Sequence, residues 1–384
     1  MSDSKDNALP LYKEIYDDIK RGIESGELSP GDKIPTELEI ANKYSVSRIT
    51  AVRAVKELEQ SGFISRARKR GSTVNLPGLY NGNSNQIPFI SMVLPYGMNN
   101  CLDIVDGAQS KAMLSNLALS VYDSSMNEKM ERSIIESLLD MDSAGYIVLP
   151  VAPYGNLEVF SRLAINKKPL VFLDFPKVGI DAPCISPDNK KAMFELTSYL
   201  IENGHTNIAF YSTSIKNVPT ESERFSGYID ALIKNNIVPK RRYILETHDL
   251  EDAEILRNGD EDTLFSFNGK KARQSLDYLM SLETPPSAIM CVNDICASHV
   301  LREALKMNIA VPEALSITGF DNLDICSYMQ VPISTMQQDF NSMGQKAVEM
   351  ILQMRAGENV KGNSLIDTEL IKRQSVANIT KDNK

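Results

Sequence analysis

Little in this chain could hold a metal or drive covalent catalysis. Its 384 residues contain three histidines (His205, His248, His299) and five cysteines (Cys101, Cys184, Cys291, Cys296, Cys326), scattered and without a C-x-x-C pair. An odd, dispersed set of thiols reads as reduced core or half-buried positions, neither a disulfide framework nor a zinc site. There is no G-x-S-x-G, no P-loop and no histidine-rich motif, so the sequence signals of serine hydrolases, nucleotide hydrolases and metalloenzymes are missing. His205 sits in the turn of NGHTNIAF, just before an apolar run, where a structural role is expected. No enzymatic activity, metal or cofactor is therefore expected. Long apolar runs are missing too: none approaches the roughly 20 residues that a spanning helix needs. The opening MSDSKDNALP is polar and acidic, where an export signal would be basic and then apolar. The expected location is the cytoplasm, with no membrane partner.

What is present is ordinary globular material, 42% apolar and 24% charged, in a chain long enough for two or three domains. The net charge of −9 argues at first against a nucleic-acid partner, but the charge is unevenly placed. Residues 1 to 75 carry 13 Lys and Arg against 12 Asp and Glu, leaving 28 against 38 for the rest. Within residues 43 to 74 the balance is eight basic (Lys43, Arg48, Arg53, Lys56, Arg66, Arg68, Lys69, Arg70) to two acidic (Glu57, Glu59). That is the electrostatic footprint of a small DNA-binding head on an acidic body.

The pattern in that basic stretch agrees. Leu11, Ile15, Ile19 and Ile23 share one helical face, followed by a Ser-Pro-Gly-Asp turn. Thr36 stands as a helix N-cap ahead of Glu37 and Glu39, and Leu38, Ile40, Ala41 and Tyr44 can form a buried face. Ser47 caps the next helix, in which Ala51, Val52, Val55 and Leu58 recur at helical spacing while Arg48, Thr50, Arg53 and Lys56 project elsewhere. Ser61-Gly62 ends it, and residues 63–65 and 72–74 can pair around the basic tip Arg66 to Gly71. A helix-turn-helix with a basic reading helix suits the major groove of double-stranded DNA, and a hairpin tip this basic suits the phosphate backbone or the minor groove.

These residues, from LYKEIYDDIKRGIESGELSPGDKIPTELEIANKYSVSR through Gly62-Phe63-Ile64 and the hairpin, resemble the winged-helix head of the GntR family. The resemblance implies that Thr36, Ser47, Arg48, Thr50, Arg53 and Gly71 approach DNA, with Arg68, Lys69 and Arg70 at the wing tip. Leu38 and Val52 stand where many members carry arginine, which leaves the reading to Arg48, Arg53 and the wing.

Residues 76–87, rich in Gly, Asn and Pro, read as a linker between a head of residues 1–75 and a body of residues 88–384. From Pro88 onward short apolar runs alternate with helical patterns: 89–94, 117–122, 146–151 and 170–173, then 208–212, 243–246, 288–292 and 316–320. Alternation of this kind predicts an α/β body of parallel sheets, and its length predicts two lobes. Ligands of such sheets bind at the carboxyl ends of the strands. The residues there are polar: Pro95-Tyr96, Asp174, Asn293-Asp294 and Asp321-Asn322, with Arg224 at the start of a helix. Each of the Asn and Asp residues also has a plain reading as a helix cap. The acidic segment 246–267 reads as an exposed loop.

PLVFLD, ISPDN, LTSYLIENGHTNIAF, ESERFSGY, PPSAIMCVND, VPEALSITGFDN and ISTMQQDF occur in order and resemble the LacI/GalR regulator body, itself similar to periplasmic sugar-binding proteins. That resemblance implies effector contacts from Asp174, Arg224, Asn293 and Asp321, with Tyr96 on the first loop and Gln338 or Phe340 near the crossover between lobes. A GntR-type head on this body resembles the bacterial arabinose repressors. The implied function is a homodimeric repressor on a pseudo-palindromic operator, released when a small sugar, L-arabinose first among candidates, closes the inter-lobe cleft. Another sugar, a sugar phosphate or a nucleoside is the alternative effector, and a pure sugar-binding protein is the less favoured class.

Overall fold

The structure, a computed structural model, describes residues 10–29, 31–67, 71–74, 88–95, 101–247 and 261–380. In the head, α1 (Leu11–Glu24), α2 (Glu37–Lys43) and α3 (Arg48–Gln60) precede a hairpin of β1 (Ile64–Ala67) and β2 (Gly71–Val74). The expected caps form. Thr36 accepts from the Glu39 amide while Glu39 accepts from the Thr36 amide at 2.7 Å, a capping box, and Ser47 accepts from the Thr50 amide. Ile15, Ile19, Ile23, Ile40, Ala51, Ala54, Val55 and Leu58 make the core. Leu11 and Leu38 were expected on buried faces. They are 56% and 61% exposed, because the core is already closed by the isoleucines behind them, and Val52 is only half-buried. Ala67 pairs with Gly71, so the hairpin tip is shorter than expected. Gly71 has φ +88, a conformation that glycine adopts without strain.

The first lobe is a six-stranded parallel sheet. Its strands are β3 (Phe89–Leu94), β4 (Ala118–Asp123), β5 (Gly145–Val148), β6 (Leu170–Leu173), β7 (Cys184–Pro187) and β13 (Asn363–Ile366), in the order β13-β7-β6-β5-β3-β4. Helices α4 (Cys101–Leu114), α5 (Glu128–Leu139) and α6 (Leu157–Ile165) cover it. The second lobe is a four-stranded parallel sheet of β8 (Ile208–Ser212), β9 (Ile244–Glu246), β10 (Ala288–Cys291) and β11 (Ser316–Thr318), in the order β11-β10-β8-β9. Around it lie α7 (Asn189–Glu202), α8 (Pro219–Lys234), α9 (Glu261–Ser281), α10 (Asp294–Lys306) and the short α11 (Ile325–Tyr328). The acidic segment 246–267 therefore departs from the expected loop: residues 261–267 are the first turns of α9, and 248–260 lie outside the described residues. Among the described residues no helix is long and apolar enough to cross a membrane.

The chain passes between the lobes three times, which follows from where each flanking element packs. It leaves β7 for α7, leaves β12 (Thr335–Gln338) for α12 (Phe340–Arg355), and leaves β13 for β14 (Thr368–Ile371). Met336 of β12 belongs to the second lobe's core, and Met343, Ala347 and Val348 of α12 to the first. Strands β12 and β14 pair antiparallel at this junction. Two of the passages open a helix with an aspartate cap: Asp188 accepts from the Lys191 amide at 3.0 Å and Asp339 from the Ser342 amide at 2.8 Å.

Close packing of α12 on α4 depends on two glycines. A Cβ on Gly107 would lie 2.0 Å from the Asn341 carbonyl oxygen, and one on Gly344 would lie 2.0 Å from that of Ile104. The conflict is with backbone, so it cannot be relieved by a rotamer. Gly344→Ala is expected to destabilise the first lobe by at least about 1–3 kcal/mol through overpacking. Scanning calorimetry of the full chain checks this, and an unchanged thermal midpoint would contradict the close approach.

Candidate functional site

A cavity of about 410 Å³ lies between the lobes, lined by residues that follow the carboxyl ends of six strands. Pro95 follows β3, residues 149–153 follow β5, Asp174 and Phe175 follow β6, Thr213 follows β8, Asn293 follows β10 and Asp321 follows β11. Gln338 and Phe340 reach it from the crossover between β12 and α12. Six of the seven residues expected at an effector site thus line one cavity: Asp174, Arg224, Asn293, Asp321, Gln338 and Phe340. The seventh, Tyr96, lies outside the described residues. One wall is apolar, built from Leu149, Pro150, Val151, Pro153 and Phe175.

The polar floor is organised around Arg224, which stands in the second turn of α8, deeper than the helix start where it was expected. Its Nε donates to Asn189 Oδ1 at 2.8 Å and its Nη1 to the Val292 carbonyl at 2.7 Å. The Phe320 ring lies 3.7 Å below the guanidinium. Nη2 is 3.6 Å from Asp321 Oδ1, to which Gln338 Nε2 also donates at 2.5 Å. The Gln338 Oε1 is buried and has no partner among the described residues. An acceptor left unpaired in a cavity costs stability unless a ligand donor meets it.

Electrostatics here are dominated by burial. It raises the Asp174 carboxyl to about 6, opposed by Arg224. Burial likewise raises the Asp321 carboxyl, with Arg224 and the Gln338 hydrogen bond opposing and Asp294 reinforcing. Both aspartates hold positive φ, +69 and +117, as does Asn322 at +57. Backbone of this kind costs on the order of 1–3 kcal/mol per residue and persists where the surroundings impose it, most often at binding sites.

Of the paired positions that had a plain reading as caps, only Asn293 is one: it accepts from the Cys296 amide at 2.8 Å, leaving its NH2 for the cavity. Asp294 is instead fully buried. It accepts from the Thr335 hydroxyl at 2.6 Å and the Leu323 amide at 2.8 Å, so it ties β12 and the loop after β11 to the start of α10. Asn322 accepts from Arg373 Nη2 at 2.6 Å and donates to Gln337 at 3.1 Å.

Sequence reasoning passed over the groups that hold the cavity walls. Glu221 accepts from the Ser212 and Thr213 hydroxyls and from the Thr213 and Ser214 amides at 3.0 and 2.9 Å, fixing the turn after β8. On the opposite wall, buried Lys177 donates to the carbonyls of Ala152 and, at 2.6 Å, Gly155. Buried Glu131 accepts from the Val151 amide at 2.8 Å and from Asn156 at 2.7 Å. Burial pushes Glu131 up and Lys177 down, and the attraction between them opposes both shifts. A signal for Glu131 existed: it shares a helical face with buried Ile135 and Leu138, where a carboxylate needs partners. Lys177 carried none.

In the head, Arg48 is exposed at the first position of α3 and has no ion-pair partner among the described residues, and Thr50 is partly exposed beside Ser47. Arg53 is 61% exposed, but its guanidinium lies 3.8 Å over the Tyr12 ring and its Nε 3.5 Å from Glu57. Arg66, counted in the positive field, is paired with Glu37 and Glu59 and so braces the wing on α2 and α3. Arg68, Lys69 and Arg70 lie outside the described residues, and Gly71 closes the tip.

Fold and site together define a small winged helix-turn-helix head followed by a two-lobed binding body with its cavity at the inter-lobe junction. Comparison with known proteins makes this specific: residues 11–74 match the model of the gntR family of bacterial regulatory proteins, and residues 197–376 match that of the periplasmic binding protein-like domain. It is 27% identical to the arabinose metabolism transcriptional repressor of Geobacillus stearothermophilus, across 98% of this chain and all of that one. It is 26% identical to the transcriptional repressor CytR of Escherichia coli K12, across 88% of this chain and 90% of that one. Among solved structures, CcpA of Lactococcus lactis matches with a TM-score of 0.64 at 19% identity, over 76% of this chain and all of that one. The lac repressor dimer bound to operator and an anti-inducer matches with a TM-score of 0.61 at 22% identity, over 77% and 96%. These relatives are transcriptional regulators, not enzymes.

A carboxyl raised by burial destabilises the folded state once ionised. For Asp174 the full penalty applies above about pH 6 and fades as pH falls toward the ordinary carboxylate value. Asp174→Asn is therefore expected to raise the thermal midpoint at pH 7.5, with an advantage that shrinks between pH 6 and 4. Midpoints of both proteins across that range test this, and a constant difference would contradict the buried charge.

Proposed function

We propose that this chain is a ligand-responsive transcriptional repressor whose effector is a small neutral sugar, with L-arabinose the first candidate. The observation that carries the sugar reading is the charge of the cavity lining: among the described residues Asp174, Glu221 and Asp321 face a single cation, Arg224, whose Nε, Nη1 and Nη2 are already engaged. Carboxylates and amides suit hydroxyl groups, which donate and accept, whereas a phosphate would meet uncompensated negative charge. The apolar wall of prolines and Phe175 suits the less polar face of a sugar ring. Support for arabinose in particular comes from the name of the full-length relative.

In this reading Asp174, Arg224, Asn293, Asp321 and Gln338 hold the hydroxyls and Phe340 packs against the ring. Thr36, Ser47, Arg48, Thr50, Arg53 and the wing from Arg68 to Gly71 meet operator DNA, and residues 76–87 tether head to body. Two copies present two heads to a pseudo-palindromic operator. Because the sugar contacts residues from both lobes, it favours the closed cleft, and closure alters the head spacing. Release requires that the sugar bind the DNA-competent arrangement less well, since equal affinity for two states shifts neither.

Thermal-shift measurements across neutral pentoses, hexoses, their phosphates and nucleosides test the effector class, because bound ligand raises apparent stability. A neutral pentose is expected to give the largest shift, and Asp321→Ala is expected to abolish calorimetric binding of that sugar. A larger shift from a phosphate or nucleoside contradicts the neutral-sugar reading. Unchanged affinity in Asp321→Ala contradicts the placement of the site.

A further inference from the structure

The reading helix carries an apolar side chain that the fold does not use. Ile49, the second residue of α3, is 82% exposed, the most open large apolar side chain among the described residues of the head. The core beside it is complete without it, since Ala51, Ala54, Val55 and Leu58 of the same helix are 0–1% exposed. Its surroundings are polar and basic: Arg48 precedes it without an ion pair among the described residues, Thr50 follows, and Lys56 is exposed further along. Of the two arginines that sequence reasoning relied on for reading, Arg53 is partly drawn onto Tyr12 and Glu57, and Leu38 and Val52 supply no charge.

The surface that covers Ile49 must therefore be anionic around its edges and apolar at one spot. In a duplex the major groove meets that requirement, because phosphates flank it and the C5-methyl of thymine is the one apolar group on its floor. The residues at the start of a reading helix are those that reach base edges. We infer that Ile49 reads thymine by packing on its C5-methyl group, supplying sequence discrimination that arginine would otherwise provide. This rests on the head being the DNA-binding surface, and its test separates the two claims.

The 384-residue chain is used to select binding duplexes from a library of random double-stranded DNA. Each thymine of the recovered sequence is then replaced in turn by deoxyuridine, which removes the methyl group and leaves the hydrogen-bonding edge intact. Affinities are measured for the wild type, Ile49→Val and Ile49→Ala at one fixed salt concentration. At least one replacement is expected to weaken wild-type binding roughly fourfold, the size of effect that one buried methyl supplies. Ile49→Val is expected to keep part of that sensitivity and Ile49→Ala to lose it, binding the thymine and uracil duplexes equally. Because Ile49 is exposed, both variants are expected to keep the wild-type thermal midpoint; the uracil scan on the wild type stands even if a variant does not. The inference is overturned if every replacement is harmless to the wild type, or if Ile49→Ala keeps the same sensitivity. Enrichment of no duplex overturns this inference together with the DNA-binding reading, whereas enrichment without methyl sensitivity overturns this inference alone.

Discussion

The cavity, the crossover and the second lobe meet at one buried cluster, and the rest of the body is arranged to keep it in place. Arg224 ion-pairs with Asp321, Gln338 donates a hydrogen bond to the same carboxylate, and Asp294 fastens β12 to the loop that carries Asp321. A group of this kind is costly to bury and is held only because nearly every donor and acceptor in it is matched. Gly319 shows how tight the fit is: a Cβ there would lie 2.0 Å from Asp294 Oδ1. The unpartnered exceptions include Gln338 Oε1, on the residue that immediately precedes the passage from β12 to α12.

Much of this was legible in residues alone because the signals were local. Thr36 and Ser47 announced two helix starts, and both caps form with the expected amides. Strands Phe89–Leu94, Leu170–Leu173 and Ile208–Ser212 read directly as apolar runs, since strands buried on both faces leave no alternation to confuse them. Four strands were not read, Cys184–Pro187, Thr335–Gln338, Asn363–Ile366 and Thr368–Ile371, and for two of them the residues answer to other demands. Thr335–Gln338 is polar because it runs through the cluster, and Asn363–Ile366 is an edge strand that alternates between half-buried and exposed. Lys177 gave no warning because its burial depends on two carbonyls more than twenty residues away. Periodicity reports which face a residue occupies, not which distant backbone group it will meet.

The head illustrates the same limit. Counting charges located the surface, but counting could not tell paired cations from open ones. Arg66 belongs to Glu37 and Glu59, and Arg53 leans on Tyr12, so the first turn of α3 is left with Arg48 and Ile49 exposed and Thr50 partly exposed. Positive potential draws such a head to DNA generally, whereas discrimination among sequences has to come from the few side chains at base edges.

Under the proposed function, sugar and operator compete through the equilibrium between open and closed lobes. Fluorescence anisotropy of a labelled, selected duplex tests it most directly, with the protein titrated in the absence and in the saturating presence of the sugar giving the largest thermal shift. Competition of this kind gives at least tenfold weaker duplex binding with sugar present, and an equal loss of sugar affinity when duplex is saturating, because coupling between two sites is reciprocal. Duplex affinity unchanged by a sugar that demonstrably binds would contradict it.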